Sequence, residues 1–351
     1  MYRIFILVIF LCAVGAGFFS VKKEDPYKLD YNKIAINVPV THTRMFENKL
    51  NIGLGEVYLA DDLGEELKKY GFDVRLYAWE DTYSNRNFGE GIEFFMRAWP
   101  ELRQTNYHDM VDSDRIAVLF ETIPYKLNEV KNADLIFTGS LKKDKEYKKM
   151  GLNSHFSPQF TRKDEFYYSP KEELRTKLIF IGNVWSDGLS RKTVDYAIKN
   201  NIDIDIYGKG WNDIIPENKK YLLKGIQIKN DELKHYYSSA DIVFNDTRDD
   251  MIESGFISNR IFDVTASKGF VISDYIPEIE EIYGDSIPMY RNEDEFVELV
   301  KYYLEHPEER HKKAQKAHEI TMERFTADKI IANMAKVMRD FVDAKRREIN
   351  E

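Results

Sequence analysis

The chain has 351 residues, of which 43% are hydrophobic and 14% aromatic, and its formal net charge is −9. This length and apolar content allow two domains of ordinary size, each with its own core. The acidic balance argues against a general nucleic-acid binder, because no broad basic surface is available to release phosphate counterions. The one cysteine, Cys12, lies in an N-terminal apolar run. The remaining sequence therefore has no disulfide, thiolate metal site or cysteine nucleophile.

Residues 4–21 form an almost unbroken apolar run, which is intermediate in length between a signal-peptide core and a full membrane span. Two interpretations remain open for residues 1–22, namely a signal anchor and a cleaved signal peptide. Lysines follow the run at 22, 23, 28 and 33, whereas Arg3 alone precedes it. This asymmetry places the body of the protein on the cytoplasmic side. We therefore expect an N-terminal hydrophobic helix that anchors a cytoplasmic body, the alternative being export after signal cleavage.

Residues 23–165 are predicted to form a Rossmann-like domain. A strand at 31–39, an amphipathic helix at 56–70 and a second strand at 73–77 make a βαβ opening, which favours a parallel sheet. Apolar runs at 116–121 and 133–138 indicate further strands. Residues 81–112 show no clear period and are predicted to be short helices with loops. The lysine-rich residues 142–149 are predicted to form an exposed helix face.

A polar segment at 159–176, with Pro158 and Pro170 as helix and strand breakers, is predicted to be a linker. A second α/β domain, 176–325, should follow it, and 326–351 should be a charged amphipathic helix. Predicted strands lie at 177–181, 202–207, 226–228, 240–245 and 269–273; predicted helices lie at 191–200, 231–238, 258–268 and 293–305. Two doubly wound domains of this kind bind ligands in the crevice at the carboxyl ends of their strands.

The predicted helix at 258–268 begins with Ser258, Asn259 and Arg260, and Asp263 follows one turn later. A helix N-terminus offers free N–H groups and a partial positive charge, and an arginine adds a fork of donors. Such a place suits a diphosphate with a sugar hydroxyl beside it.

The segment around this helix reads G-F-I-S-N-R-I-F-D, then K-G-F-V-I-S-D and P-E-I-E-E-I-Y-G-D. It resembles the donor-binding half of GT-B glycosyltransferases, in particular the CgeB-type branch of the group 1 family. The resemblance extends from about residue 177 to 326. It implies two Rossmann-like domains facing a cleft, a C-terminal helix that packs back across the linker, and a nucleotide-diphosphate sugar as substrate. It also implies metal-independent transfer without a cofactor.

The resemblance assigns donor contacts to a loop after the strand at 177–181. Gly182 and Asn183 form this loop, and Arg191 and Lys192 begin the next helix. In the resembled enzymes these positions lie against the donor phosphates, where a glycine allows close approach and cations neutralise the leaving diphosphate. The alternative is a tight turn followed by a solvated helix end.

Two further donor positions follow from the resemblance. Tyr207 and Gly208 open a glycine-rich turn that lies near the nucleobase in the resembled fold, although such a turn is equally explained by packing on a tryptophan. Asp263 takes the place of the ribose-binding carboxylate, which is normally a glutamate. Another glutamate is usual eight residues earlier, where this chain has Gly255. Glu253 or Asp250 are possible substitutes, and this departure leaves retaining chemistry and donor identity open.

Glu121 and His42 are the candidates for a general base toward an acceptor hydroxyl, if the enzyme inverts configuration. Glu121 ends a predicted strand and should face the cleft, yet a structural role explains each residue equally well. The histidines show no metal-ligand spacing, so no metal site is predicted.

These features predict a glycosyltransferase that moves a sugar from a nucleotide-diphosphate sugar to a glycan, a lipid-linked sugar or a protein. Two alternatives remain. One is a GT-B sugar-nucleotide epimerase, and the other is a non-catalytic GT-B protein that binds a glycan or a partner.

Overall fold

The structure, a computed structural model, describes residues 29–38, 55–78, 89–97, 114–185 and 187–350. The predicted anchor at 1–22 and the candidate base His42 lie outside these residues. Within the described ranges, no helix is both long and apolar enough to cross a membrane.

The N-terminal domain is built on a six-stranded parallel sheet with the order β2-β1-β3-β4-β5-β6. Its strands are β1 (Asp30–Asn37), β2 (Asp73–Tyr77), β3 (Glu90–Phe95), β4 (Ile116–Glu121), β5 (Leu135–Thr138) and β6 (Ser154–Phe156). Helices α1 (Gly55–Lys69), α2 (Leu127–Val130) and α3 (Leu141–Lys149) connect or flank them. The predicted βαβ opening is present as β1, α1 and β2.

The central strand β3 lies where the sequence predicted short helices with loops, and that prediction was wrong. The sequence of β3, EGIEFF, carries two glutamates and so lacks the continuous apolar run of a buried strand. Both glutamates are buried because distant side chains hold them. Glu93 accepts from Asn37 Nδ2 at 2.8 Å and from Arg115 Nη1 at 2.6 Å, and Glu90 accepts from the Tyr77 hydroxyl at 2.6 Å.

The C-terminal domain contains a second six-stranded parallel sheet, with the order β12-β11-β10-β7-β8-β9. Its strands are β7 (Thr176–Ile181), β8 (Asp205–Tyr207), β9 (Leu223–Gly225), β10 (Ala240–Asn245), β11 (Val271–Asp274) and β12 (Met289–Tyr290). The weak strand predicted at 226–228 was wrong by three residues, since the pairing strand β9 ends at Gly225. The two domains thus form the doubly wound, Rossmann-like pair that the sequence predicted.

The helices of the C-terminal half complete the fold. They are α4 (Lys192–Lys199), α5 (Leu233–Ser239), α6 (Asp249–Ser254), α7 (Asn259–Ala266), α8 (Pro277–Tyr283), α9 (Glu293–Glu305), α10 (Pro307–Arg324) and α11 (Ala327–Asn350). Helix α6 lies between β10 and α7, in a segment for which no element was predicted. Helix α11 crosses back to the N-terminal domain, where Ile331 and Met334 share a core with Leu63 and Leu67 of α1.

The topology places a crevice between the domains. In the C-terminal sheet, β8 pairs with one side of β7 and β10 pairs with the other, so the strand order changes direction at β7. Ligands of such sheets bind at the carboxyl ends of the strands beside this change of direction. The chain crosses between the domains twice at adjacent positions. Thr161 N–H donates to Phe325 O at 3.0 Å, and Ala327 N–H donates to Thr161 O at 2.9 Å.

Candidate functional site

Two adjoining cavities occupy the crevice. The first has a volume of about 210 Å³ and lies against the carboxyl ends of β7 and β8. The second, of about 310 Å³, lies between α1, the linker and the start of α7. Gly55, Tyr58 and Asn230 line both cavities, so the two form one continuous cleft between the domains.

Two glycine turns build the wall of the first cavity, which Gly182, Asn183, Tyr207 and Gly208 line. Gly182 N–H donates to Tyr207 O, and Lys209 N–H donates to Asn183 Oδ1, both at 2.8 Å. Gly208 has φ +152°, and a Cβ added there would lie 2.1 Å from Gly182 O. The two turns are so close together that a side chain at position 208 cannot fit, so packing alone requires a glycine there. The same contact leaves a flat backbone surface toward the cavity.

Arg260 lies directly beneath this wall. Its Nη2 donates to Ile181 O at 2.6 Å and its Nη1 to Asn245 Oδ1 at 3.2 Å. Nη2 is also 3.0 Å from the point that a Cβ on Gly182 would occupy. The guanidinium therefore places a positive charge under the cavity floor without lining the cavity itself.

Arg191 supports the same loop from behind. It is 8% exposed, its Nε donates to Asn183 O at 2.8 Å, and its Nη1 donates to Asp246 Oδ1 at 2.9 Å. Burial lowers the pKa of this guanidinium to about 10, against the opposing effect of Asp246. Its guanidinium and that of Arg260 lie 5.8 and 5.4 Å from the ring centre of Phe180, so the structure brings the two arginines together on one side of the domain.

Lys192 lies apart from the cleft. Its side chain is half exposed and pairs with the exposed Asp249. This hydrogen bond raises the pKa of Lys192. The lysine lines neither cleft cavity.

The second cavity is lined by Ser258, Asn259 and Asp263 at the start of α7. Asp263 is 8% exposed, and its Oδ2 accepts from Asn259 Nδ2 at 2.8 Å. Neither Asp263 Oδ1 nor Asn259 Oδ1, both buried, makes a hydrogen bond of ordinary geometry among the described residues, although the Thr161 hydroxyl lies close to the Asp263 carboxylate. Such acceptors are costly to leave unsatisfied, so this pair is suited to a ligand that brings hydroxyl donors.

Burial raises the pKa of Asp263 well above the ordinary aspartate value. Thr161 and Asn259 oppose this shift, whereas the nearby carboxylates of Asp62 and Glu165 reinforce it. Hydroxyl donors from a ligand would favour the charged form, because hydrogen bonds to a carboxylate stabilise it.

Asp62 of α1 is a cleft residue that the sequence analysis missed. It lines the second cavity, and its Oδ1 accepts from Arg162 Nη1 at 2.9 Å. Burial raises the pKa of Asp62 to about 7, although the Arg162 hydrogen bond lowers it. No sequence signal distinguishes it, because Asp62 lies beside the buried stripe of α1 rather than within it, where acidic residues are common.

Glu121 lies behind the cleft wall. It is fully buried at the end of β4 and accepts from Thr138 Oγ1 at 2.6 Å, Tyr147 OH at 2.9 Å and Tyr125 N–H at 3.2 Å. Burial raises its pKa. The following residues Thr122 and Ile123 line the second cavity, but Glu121 does not.

The position of Gly255 explains its departure from the family pattern. It is the left-handed C-cap of α6, with φ +75°, and a Cβ there would lie 2.0 Å from Glu278 Oε1. Glu253 and Asp250, the possible substitutes, line neither cleft cavity. Within the described residues, no group of three or more His, Cys, Asp or Glu side chains is arranged to hold a metal ion.

Residues 190–336 match a family model described as glycosyl transferase-like. Over 153 residues the chain is 29% identical to the spore protein CgeB of Bacillus subtilis (strain 168). This aligned region covers 39% of this chain and 47% of the relative. The match thus spans about half the length of that curated relative.

Solved structures share the fold. Sucrose-phosphate synthase from Thermosynechococcus elongatus superposes with a TM-score of 0.66 at 12% identity, covering 89% of this chain and 99% of the other. Anabaena HepE, in complex with UDP and glucose, gives a TM-score of 0.64 at 10% identity, covering 88% and 99%. The predicted resemblance to CgeB-type GT-B glycosyltransferases of group 1 is confirmed, and the two domains have the GT-B arrangement.

Proposed function

We propose that this protein transfers a sugar from a nucleotide-diphosphate sugar to a hydroxyl group of a glycan, a lipid-linked sugar or a protein. The glycosyltransferase-like match and the GT-B fold support sugar transfer. The observation that carries the proposal is the pair of buried acceptors, Asp263 Oδ1 and Asn259 Oδ1, in the cleft between the domains. A nucleotide sugar brings ribose hydroxyl donors to this acceptor pair, to which the protein itself offers only the nearby Thr161 hydroxyl.

The C-terminal domain holds the donor in this proposal. Tyr207 and the flat turn at Gly182 and Gly208 receive the nucleotide in the first cavity. Asp263 and Asn259 accept from the ribose hydroxyls in the second cavity. The charge of Arg260 beneath Gly182 stabilises the departing diphosphate, because preorganised positive groups in a partly dry site favour developing negative charge.

Arg191 and Lys192 act indirectly. Arg191 fixes the Asn183 carbonyl and adds to the positive potential below the loop, while Lys192, paired with Asp249, adds only a partly neutralised charge from the exposed start of α4. These roles orient the donor rather than contact it at short range.

The N-terminal domain faces the acceptor. Tyr58, Asp62 and Thr122 line its side of the second cavity. For Glu121 we infer a positioning role, since its three hydrogen bonds fix the strand end that carries Thr122. His42 remains a predicted candidate for the general base. Metal-independent transfer also remains a prediction, and we expect chelation of divalent metals with EDTA to leave the activity unchanged.

A panel of nucleotide sugars tests the proposal. Binding is measured by calorimetry and turnover by release of nucleoside diphosphate, with product analysis to separate transfer from epimerisation. We expect at least one nucleotide sugar to bind and to lose affinity in Asp263→Asn. The control Asp294→Asn makes the same change at an exposed position on α9, outside both cavities. Absence of any nucleotide-sugar binding, or equal affinities for both variants, would contradict the proposal.

A further inference from the structure

A third cavity, of about 600 Å³, lies at the opposite edge of the C-terminal sheet from the cleft. It opens at the amino ends of β7 and β10, where Thr176 pairs with Ala240. The length of β7, about 17 Å, separates it from the turn at Gly182. A molecule in this cavity is therefore outside the reach of the donor site.

The cavity is strongly basic although the chain is acidic. Its cationic side chains are Lys171, Arg175, Lys177, Lys268 and Arg310, and its carboxylates are Glu172 and Asp241. Both carboxylates already have partners in the cavity wall, since Glu172 pairs with Arg175 at 3.2 Å and Asp241 with Arg310 at 3.2 Å.

Lys177 and Lys268 are exposed, and neither side chain has a hydrogen-bond or ion-pair partner among the described residues. The uncompensated charge of the cavity is thus positive. Surface lysines of an acidic protein usually have carboxylates nearby, so two such groups in one concave site favour an anionic ligand.

The backbone at Lys268 gives independent support. Lys268 follows the C-cap of α7 with φ +57°, a left-handed conformation that glycine or asparagine normally occupies at this position. The other non-glycine residue with positive φ in the described chain, Asn201, is of the tolerant type. Lysine is disfavoured at position 268 by conformation alone, and strained positions of this kind cluster at functional sites.

Tyr168 completes the site. Its side chain lines the cavity and is 56% exposed. An exposed aromatic ring packs well against the C–H face of a pyranose, whereas a lone anion gains nothing from it. The combination of an open aromatic face with unpaired cations fits a sugar that carries negative charge.

We propose that this basic cavity binds an anionic glycan, with a carboxylate or phosphate group at Lys177 and Lys268 and a sugar ring on Tyr168. The site goes beyond the proposed function and does not depend on it.

A short oligogalacturonate and its neutral methyl ester provide the test, because they share the sugar ring and differ in charge. We expect the acid to bind the full chain and the ester to bind far more weakly. Lys268→Gly should reduce the affinity for the acid about tenfold, the loss expected for one charge-assisted contact. The glycine also relieves the left-handed strain, so the melting temperature should show that the fold is intact.

Lys301→Ala is the matched control, since it removes one exposed lysine charge from α9 outside the cavity. Equal affinities of Lys268→Gly and Lys301→Ala for the acid, or equal binding of acid and ester, would overturn the proposal. A third outcome would also overturn the proposal. If the native chain binds phosphatidylserine vesicles but no oligogalacturonate, and Lys268→Gly loses the vesicle binding, the cavity recognises a lipid headgroup. Nucleotide-sugar binding should be unchanged in Lys268→Gly, so failure at this cavity is distinguishable from failure at the cleft.

Discussion

One conservative substitution, Asp263→Asn, should move stability and donor binding in opposite directions. Asp263 Oδ2 accepts from Asn259 Nδ2 at 2.8 Å, while Oδ1 makes no hydrogen bond of ordinary geometry among the described residues and has only the Thr161 hydroxyl nearby. In the variant, the amide oxygen must face Asn259 Nδ2 to keep that hydrogen bond. The new NH2 group then replaces Oδ1, so the cavity gains a donor where the native protein offers an acceptor.

The stability effect follows from the raised pKa of Asp263, which burial causes. The folded state holds this proton more tightly than the unfolded state, in which the pKa is about 3.9. Below that value the carboxyl is protonated in both states and carries no cost. As pH rises toward the folded-state pKa the cost of burying the charge grows, and above it the cost is complete. The uncharged asparagine should therefore raise the melting temperature at neutral pH, with a difference that shrinks on acidification toward about pH 4.

Donor binding should weaken at the same time. A lost charge-assisted hydrogen bond is worth about 1.5–3 kcal/mol, or a fall in affinity of roughly 10- to 150-fold. The loss should nearly vanish for a dideoxyribose analogue, which brings no hydroxyl to Asp263. Calorimetry with both ligands and melting curves at several pH values measure these effects. Equal losses for the two ligands, or a variant less stable than the native protein at neutral pH, would show that Asp263 supports α7 rather than the ligand.

Further predictions test other parts of the fold. Gly208→Ala should lower the unfolding free energy by more than about 2 kcal/mol, since its Cβ would lie 2.1 Å from Gly182 O. Gly55→Ala, whose Cβ would meet open space, should lower it by less than about 1 kcal/mol. Equal urea midpoints for the two variants would show that the two turns can move apart to accept a side chain. Arg260→Ala should weaken nucleoside-diphosphate binding by about 1 kcal/mol in calorimetry, because its charge acts through space from beneath the cavity floor, and unchanged affinity in a folded variant would reject this role. Tyr147→Phe should lower unfolding free energy by about 1–2 kcal/mol, because the buried carboxylate of Glu121 loses a donor at 2.9 Å; an unchanged denaturation curve would argue against this account. Residues 1–22 should anchor the protein with its body in the cytoplasm, and digestion of the body by protease added outside sealed cells would exclude this.

Local sequence signals were sufficient for much of the C-terminal domain. The apolar run at 240–245 predicted β10 with its observed bounds, because a central parallel strand is buried on both faces. The start of α7 was also predictable, since Ser258 precedes the apolar spacing of Ile261 and Phe262 and takes the N-cap position. Such features depend on neighbours within one turn or one strand.

The features that the sequence could not predict depend on distant partners. Glu93 is buried in β3 because Asn37, fifty-six residues away, donates to it. Asp62 is held in the cleft by Arg162, one hundred residues later in the chain. Arg191, which the resemblance assigns to the donor phosphates, hydrogen-bonds to Asp246 and to the Asn183 carbonyl, and neither partner is marked by the local sequence. Pattern alone cannot distinguish an arginine that contacts a ligand from one that supports the loop beside it.

The family match includes only one of the two walls of the cleft. The family match begins at residue 190, so it includes Asp263 and Arg260 but not Tyr58, Asp62 or Thr122. The wall that faces the acceptor in our proposal is thus the part outside the match. Its ionisable cavity-lining groups, Asp62 and Arg162, are paired with each other, which leaves little free positive charge for an anionic group at the reacting end. An acceptor that is neutral where it reacts would satisfy this wall.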